Sequence, residues 1–516
     1  METRDPGLAQ TDQDAQDARD LGRFGYKQEL KRSLRFFSSF AIAFSYISPS
    51  TGIFTLFALG LSLVGGVFFW TWPIVFLGQF MIALNFAEVS SHFPLAGSVF
   101  QWTKYLSGRT HSWFNGWIYL FAGVLTVTAV VVTLPIALIP FLNGLGFHFS
   151  GSTHEFVLVA AVTLALITLL NVYGVRIVAI VNNTGVVFEI LGMVIFAVFL
   201  AALHNHQGPG VIFKTGGTHL TFSTFMAAMF MSLFVIYGFD TASTLAEETK
   251  DPRREAPKAV LSSIVGAFII GTIFLWGVLM AIPNLKGAIA QTGTDFYGVL
   301  PGIIESNFSK AFATTYLFVV SAAIFVCCMA IMTSTIRLCF GMARDNQLPF
   351  SKPLAKVNPR LHTPILSCLA VGALAGIPMI QFAGAAYVAI AATGMIYLSY
   401  FIGNIAILRA RLKGWPKTPA PFKLGRWGMV VNILGLTWGL GMLINFAIPR
   451  VCCNPKPNQT GGLLHIGFLN GIPVLWTVSV LVAVLGTIYY FTVQRNKPFV
   501  PVIPPEEEVL PEGAGR

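Results

Sequence analysis

Two short stretches of this chain set polar side chains beside helix-breaking residues, each inside a run that is otherwise apolar. The first is Ile47-Ser48-Pro49-Ser50-Thr51-Gly52-Ile53-Phe54, near the middle of an apolar run over 36–62. Proline has no N–H for an internal helical turn and glycine is flexible, so the helix is expected to unwind there. The second is Tyr237-Gly238-Phe239-Asp240-Thr241, past the middle of a run over 219–247, where glycine again adjoins a charge that hydrocarbon penalises. Irregular backbone at membrane depth is tolerated only where protein or a polar cavity surrounds it. Backbone N–H groups freed at Ser50, Thr51 and Gly52, at the positive end of a half-helix, suit an anion such as a carboxylate. Carbonyls freed around Tyr237, Gly238 and Phe239, with Asp240 beside them, suit an ammonium. A pocket between the breaks would grip both ends of a zwitterion. Breaks at matching positions of two halves are the pattern of a secondary-transporter site, whereas a single kink is common among packed membrane helices.

Glu189 and Arg337 are the other ionisable residues well inside apolar runs. Glu189 is about 8 residues into a run starting near 181 and Arg337 about 7 residues before Arg344, so both lie roughly 10–12 Å deep. An unpaired ion there costs several kcal/mol, which favours a Glu189–Arg337 pair or a protonated Glu189. Two roles stay open: a static pair, or a coupling site where Glu189 takes a proton or cation and Arg337 alternately holds and releases it.

The elements that position these residues are membrane spans. Of 516 residues 55% are hydrophobic and only 11% charged, with a mean hydropathy of +0.70. Soluble proteins carry about 25% charged residues, so a soluble enzyme is excluded. Apolar runs long enough to cross a ~30 Å hydrocarbon core as helix recur near 36–62, 66–90, 112–140, 156–174, 181–203, 219–247, 259–282, 312–343, 363–382, 384–408, 427–449 and 470–492. The expected fold is therefore an all-α polytopic membrane protein of about twelve transmembrane helices.

The net charge of +11 reflects orientation rather than nucleic-acid binding. Lys and Arg crowd the loops on one side, among them Lys31, Arg32, Arg35, Lys104, Arg253, Arg254, Arg411 and Lys423, while Lys214, Lys286, Lys310, Arg450 and Lys456 hold the other. This bias puts both termini in the cytosol, and the sequons at Asn307 and Asn458 outside. The polar first 25 residues contain no apolar signal region, so residues 1–30 are expected as a disordered cytosolic tail and 496–516 as another. Cys327, Cys328, Cys339 and Cys368 lie in apolar runs and Cys452 and Cys453 are adjacent, so no metal or redox spacing exists and no cofactor is expected.

Three ordered motifs carry a resemblance. Glu88-Val-Ser-Ser-His-Phe-Pro-Leu-Ala-Gly-Ser-Val-Phe-Gln-Trp resembles the end of the second helix in the amino acid, polyamine and organocation (APC) superfamily. Gly238-Phe-Asp-Thr-Ala-Ser-Thr-Leu-Ala-Glu-Glu-Thr-Lys-Asp-Pro-Arg-Arg is similar to its sixth-helix signature, and Ser334-Thr-Ile-Arg-Leu-Cys-Phe-Gly-Met-Ala-Arg-Asp-Asn to its eighth-helix ending. The likeness covers roughly 28–493 and is greatest to the amino acid/choline transporter branch. It implies a LeuT-type fold: a ten-helix core over 31–410 in two inverted five-helix repeats, then two peripheral helices over 411–495. It implies substrate carboxylate at Ser50, Thr51 and Gly52, amine at Tyr237, Gly238 and Phe239, and a structural and gating loop at Pro94, Ala96 and Gly97. In that fold the fifth and eighth helices both border the first, near Glu189 and Arg337. Glu247 and Glu248 are followed by Arg253 and Arg254, which suggests local pairing, a cytoplasmic gate or a solvated helix end. Several prokaryotic relatives resemble one another in a fifth-helix lysine at a sodium-like position; here Glu189 stands at that match, so lysine-type proton coupling does not transfer.

The expected function is thus a secondary active permease for amino acids or related amines in the plasma membrane, coupled to a proton or sodium ion or working by exchange. A choline or polyamine permease, a channel and a nutrient sensor are alternatives on the same fold. No H-E-x-x-H, G-x-S-x-G or His cluster at metal spacing supports an enzyme.

Overall fold

The computed structural model describes residues 15–379, 385–448 and 474–497. Among these the regular elements are helices, and the chain pairs in β fashion only in an isolated bridge between Leu34 and Thr249. In chain order the principal helices are α1 (Phe36–Ile47), α2 (Pro49–Val64), α3 (Thr71–His92), α4 (Ser98–Ser107), α5 (Arg109–Val131), α6 (Leu134–Gly144), α7 (Thr153–Val172), α8 (Val175–Leu203) and α9 (Phe222–Val235). There follow α10 (Thr241–Thr244), α11 (Pro252–Met280), α12 (Leu285–Gln291), α13 (Val299–Asn307), α14 (Lys310–Arg344), α15 (Ile365–Gly376), α16 (Ala385–Leu412), α17 (Gly428–Ala447) and α18 (Val474–Thr492).

Among the described residues nine helical stretches are long and apolar enough to cross a membrane. One of them, Phe36–His92, has 57 residues. Straight, it would be ~86 Å long, far beyond one bilayer core, so it folds back and crosses twice. The reversal lies in the 3-10 segment Gly65–Trp70. The shorter apolar helices Phe222–Val235 and Ile365–Met379 supply two more crossings, the first with its unwound continuation. The result is an all-α, multi-pass integral membrane protein. Leu158, Val162, Leu166 and Leu169 are exposed at helical spacing on α7, an outward apolar stripe suited to lipid rather than water.

Both breaks form where the sequence places them. Proline at N1 costs no helical hydrogen bond, so α2 starts at Pro49 with Ser48 as its N-cap, in left-handed geometry at φ 34°. The sixth crossing starts with a reciprocal Thr221–Thr224 capping box, leaves helical geometry after Val235, and resumes at Thr241. α2 packs along α9 and α1 against α10, so the two broken helices lie side by side. α8 and α14 flank α1, and α5 packs on α16.

Residues 15–30, expected as part of a disordered tail, are instead folded onto the protein. Leu21, Phe24, Tyr26 and Leu30 are apolar anchors in a polar segment, and all four are buried. The Phe24 ring stands 5.2 Å from Tyr105, and the Tyr26 hydroxyl donates to Asp345 Oδ1 at 2.7 Å. Residues 1–14, the segment 449–473 with Cys452, Cys453 and Asn458, and the tail from 498 lie outside the described residues.

Candidate functional site

At the start of α2 every available donor is engaged. Ser48 and Ser50 hydroxyls donate to Glu189 Oε1 at 2.7 and 2.6 Å, and Ser50 N–H points at the same oxygen at 3.4 Å. Thr51 N–H reaches Ser48 Oγ at 3.4 Å, while the Thr51 and Ser48 hydroxyls lie 2.6 Å apart. The terminus therefore binds a carboxylate, as its dipole and free N–H groups dictate, and in this conformation the carboxylate is the protein's own Glu189. Gly52 serves close approach: a Cβ there would stand 2.3 Å from Val235 Cγ2 of α9.

The second break is organised around Asp240, which is fully buried. Its carboxylate accepts from Ser98 Oγ at 2.8 Å, from Tyr119 Oη at 2.5 Å and from Tyr400 Oη. Tyr400 Oη also accepts from Gly238 N–H at 3.0 Å, so one residue of α16 holds both sides of the break. Gly238 adopts φ +88°, a left-handed geometry that costs other residues, and a Cβ there would collide with the Tyr46 ring at 1.9 Å. Phe239 is buried against Phe86 and Tyr400. The Tyr237 ring meets Tyr46 edge-on at 6.1 Å, and its buried hydroxyl has no hydrogen-bond partner. The candidate residues Ser50, Thr51, Gly52, Tyr237, Gly238, Phe239 and Asp240 thus all come to one junction, where the two glycines are contact points between the broken helices.

The expected Glu189–Arg337 pair is not formed. α8 begins at Val175 rather than near 181, which puts Glu189 fourteen residues in, or ~21 Å from that end. Glu189 shares its surroundings with Tyr316, Val320 and Ala323 of α14. Arg337 lies fourteen residues beyond Ala323, another ~21 Å along the same helix. Its Nε donates to Glu248 Oε1 at 2.7 Å, and both side chains are 1% exposed. Glu247 receives Arg344 in a bidentate pair at 2.7 and 2.8 Å, and Ala96 N–H at 2.9 Å. Glu247 and Glu248 therefore pair with α14, not with Arg253 and Arg254, and neither is a solvated helix end. Arg253 instead donates to Ser91 O, and Arg254 sits 3.8 Å from Asp251.

These pairs belong to a closed polar layer at the end of the protein that carries most of the basic loops. Lys104 Nζ contacts Asp345 Oδ2 and Tyr26 Oη, both at 2.8 Å. Burial pulls the Lys104 ammonium below its ordinary pKa, against the opposing pull of Asp345. Arg344 stacks 3.9 Å from the centre of the Tyr26 ring, and Arg411 pairs with Glu88. Sequence reasoning missed Ser48 as a ligand of Glu189, and Tyr119, Ser98 and Tyr400 as the shell of Asp240; the available signal was a hydroxyl in an apolar run, which many packed helices share. Among the described residues no group of three His, Cys, Asp or Glu is placed to hold a metal, and Cys327, Cys328, Cys339 and Cys368 are free and buried.

Two broken helices meeting at a buried polar junction, with a closed ionic layer at one face, suit a multi-pass membrane permease, and the family match places this one in the APC superfamily. The amino acid permease family model matches residues 34–464, and the chain belongs to that family. It is 28% identical to the amino-acid permease BAT1 of Arabidopsis thaliana over 462 residues, 83% of this chain and 88% of the relative. It is 26% identical to the branched-chain amino acid permease BcaP of Bacillus subtilis, over 68% of this chain and 75% of the relative. It is also 23% identical to the GABA-specific permease of Saccharomyces cerevisiae, over 83% of this chain and 78% of the relative.

Proposed function

We propose that this protein carries small zwitterionic amino acids across the plasma membrane by alternating access, with the two breaks as its substrate site. The observation that carries the reading is the carboxylate seated at the start of α2, because the donors that hold Glu189 are those a substrate carboxylate needs. Ser50, Thr51 and Gly52 take the carboxylate; Tyr237, Gly238 and Phe239 offer carbonyls to the amine, with Asp240 nearby. Choline has no carboxylate and leaves the α2 donors unmatched. The family and relatives named for amino acids support the same class.

Glu189 is the coupling site in this reading. A proton or cation arriving there weakens its hold on Ser48 and Ser50 and frees the α2 terminus for substrate. Arg337 moves from coupling to the gate, where its pair with Glu248 joins Glu247–Arg344 in closing the cytosolic face. The ten-helix core over 31–410 moves about this junction, 411–495 is peripheral, and both termini are cytosolic. Proteoliposome uptake with a panel of α-amino acids, γ-aminobutyrate, polyamines and choline tests the substrate class. Saturable amino acid uptake with trans-stimulation is expected; choline uptake that no amino acid competes with, or flux without trans-stimulation, refutes it. In Glu189→Gln, exchange survives while concentrative, pH-dependent uptake is lost. An unchanged pH profile removes Glu189 from coupling.

A further inference from the structure

Beside the Tyr237 hydroxyl lies a group of buried polar atoms that the proposed site does not use. Gln79 of α3 and Tyr397 of α16 are both completely buried. Neither the amide oxygen nor the amide nitrogen of Gln79 completes a hydrogen bond, and nor do the hydroxyls of Tyr397 and Tyr237. Gln79 makes only a weak polar contact with the Tyr397 hydroxyl, and Thr126 and Thr393 only weak ones with that of Tyr237, none at hydrogen-bond geometry. The threonine hydroxyls donate to their own helices, to Ala122 O at 2.8 Å and Ala389 O at 2.7 Å, so toward the centre they can only accept. Buried polar groups are nearly always paired in folded proteins, and four atoms on three neighbouring side chains that have no well-formed hydrogen bond mark a place where a further partner fits.

We infer that Gln79 and Tyr397, with Tyr237, form the specificity wall for the substrate side chain, and that they select an amino acid whose side chain is neutral and hydrogen-bonding, a carboxamide above all. Tyr237 belongs to the sixth-crossing break, so a substrate held there projects its side chain toward this wall. The amide offers two donors and one acceptor, the tyrosines supply donors and acceptors, and the threonines accept; a carboxamide matches the mixture with both of its own atoms. The wall itself, made of Gln79, Tyr397, Tyr237, Thr126 and Thr393, carries no charged group. Asp240 is already held by Ser98, Tyr119 and Tyr400, while Arg337 and Arg344 are paired with Glu248 and Glu247. A cationic or anionic side chain would therefore be buried without a counter-charge, and an aliphatic one would leave the polar atoms unmatched.

The inference rests on the amino acid reading above and is tested separately from it. Reconstituted protein takes up labelled L-glutamine in competition with asparagine, threonine, leucine, valine, lysine and glutamate, and thermal shift of the purified protein reports binding apart from transport. Glutamine and asparagine are expected to outcompete leucine and valine by on the order of 100-fold, since a site built for hydrogen bonds rejects analogues that lack them. Gln79→Leu is expected to cut that ratio at least tenfold while raising leucine uptake, and Tyr397→Phe to cut it less. If Gln79→Leu does not fold, Tyr397→Phe carries the test. Amino acid uptake that favours aliphatic side chains, or a ratio unchanged in the folded variants, overturns the inference and leaves the amino acid reading standing. Absence of any amino acid uptake or binding overturns both.

Discussion

Glu248→Ala tests whether the Arg337–Glu248 pair is a gate. The two side chains meet through Nε–Oε1 at 2.7 Å and Nη2–Oε2 at 3.4 Å, each 1% exposed. Removing the carboxylate strands a guanidinium in a dry layer, which typically costs ~3–5 kcal/mol. If the layer opens, water reaches the guanidinium and most of that cost disappears, so the mutation favours the open state by about that amount. At ~1.4 kcal/mol per tenfold, the open population rises by roughly two to three and a half orders of magnitude. A cysteine at Ser243, 1% exposed on α10, placed in a protein whose native cysteines are replaced, reports opening by its rate of thiol labelling from the face that carries the ionic layer. Labelling should accelerate strongly in Glu248→Ala. It should fall back in Glu248→Leu/Arg337→Met, where two apolar side chains replace the pair and no charge is stranded. Unchanged labelling in folded Glu248→Ala, or a double variant that labels as fast as the single one, refutes the gate and makes the pair a static strut.

Gly52→Ala puts a Cβ 2.3 Å from Val235 Cγ2 and should cost ~1–3 kcal/mol of thermal stability and most uptake. Val235→Ala in the same protein should recover most of both; no recovery would show that Gly52 is needed by the ligand rather than by α9. Tyr400→Phe deprives Asp240 of a donor and Gly238 N–H of its acceptor, whereas Tyr119→Phe removes one donor only. Thermal unfolding should therefore find Tyr400→Phe the more damaging, with ~1–3 kcal/mol at stake per unmatched group. Cysteines at Lys286 and Lys417 test orientation: an impermeant thiol reagent on intact cells should label the first and spare the second, and the reverse pattern inverts the topology.

How much of this was legible in the sequence depends on the range of the physics involved. Crossing a bilayer is a local demand, met by about 20 consecutive apolar residues, so the spans could be located from composition alone. The breaks were equally local, because Pro49 and Gly238 act on their own turns. Side-chain partnership is not local. Glu189 and Arg337 looked equally deep when counted from the expected helix ends, but α8 begins at Val175 and carries Glu189 deeper, while Arg337 keeps its place seven residues before the end of α14 at Arg344, so the two sit at different levels. Glu189 found the serines of α2 and Arg337 found Glu248 because a buried charge takes whatever complementary group packing brings to its own depth. The same holds for Asp240, whose donors come from residues 98, 119 and 400, and for Tyr26, whose anchoring partners lie beyond residue 100. The amino-acid sequence by itself determined how often the chain crosses the membrane and where its helices break; only the tertiary structure decided which buried polar groups satisfy one another, because that choice depends on helix ends and packing that no single span encodes.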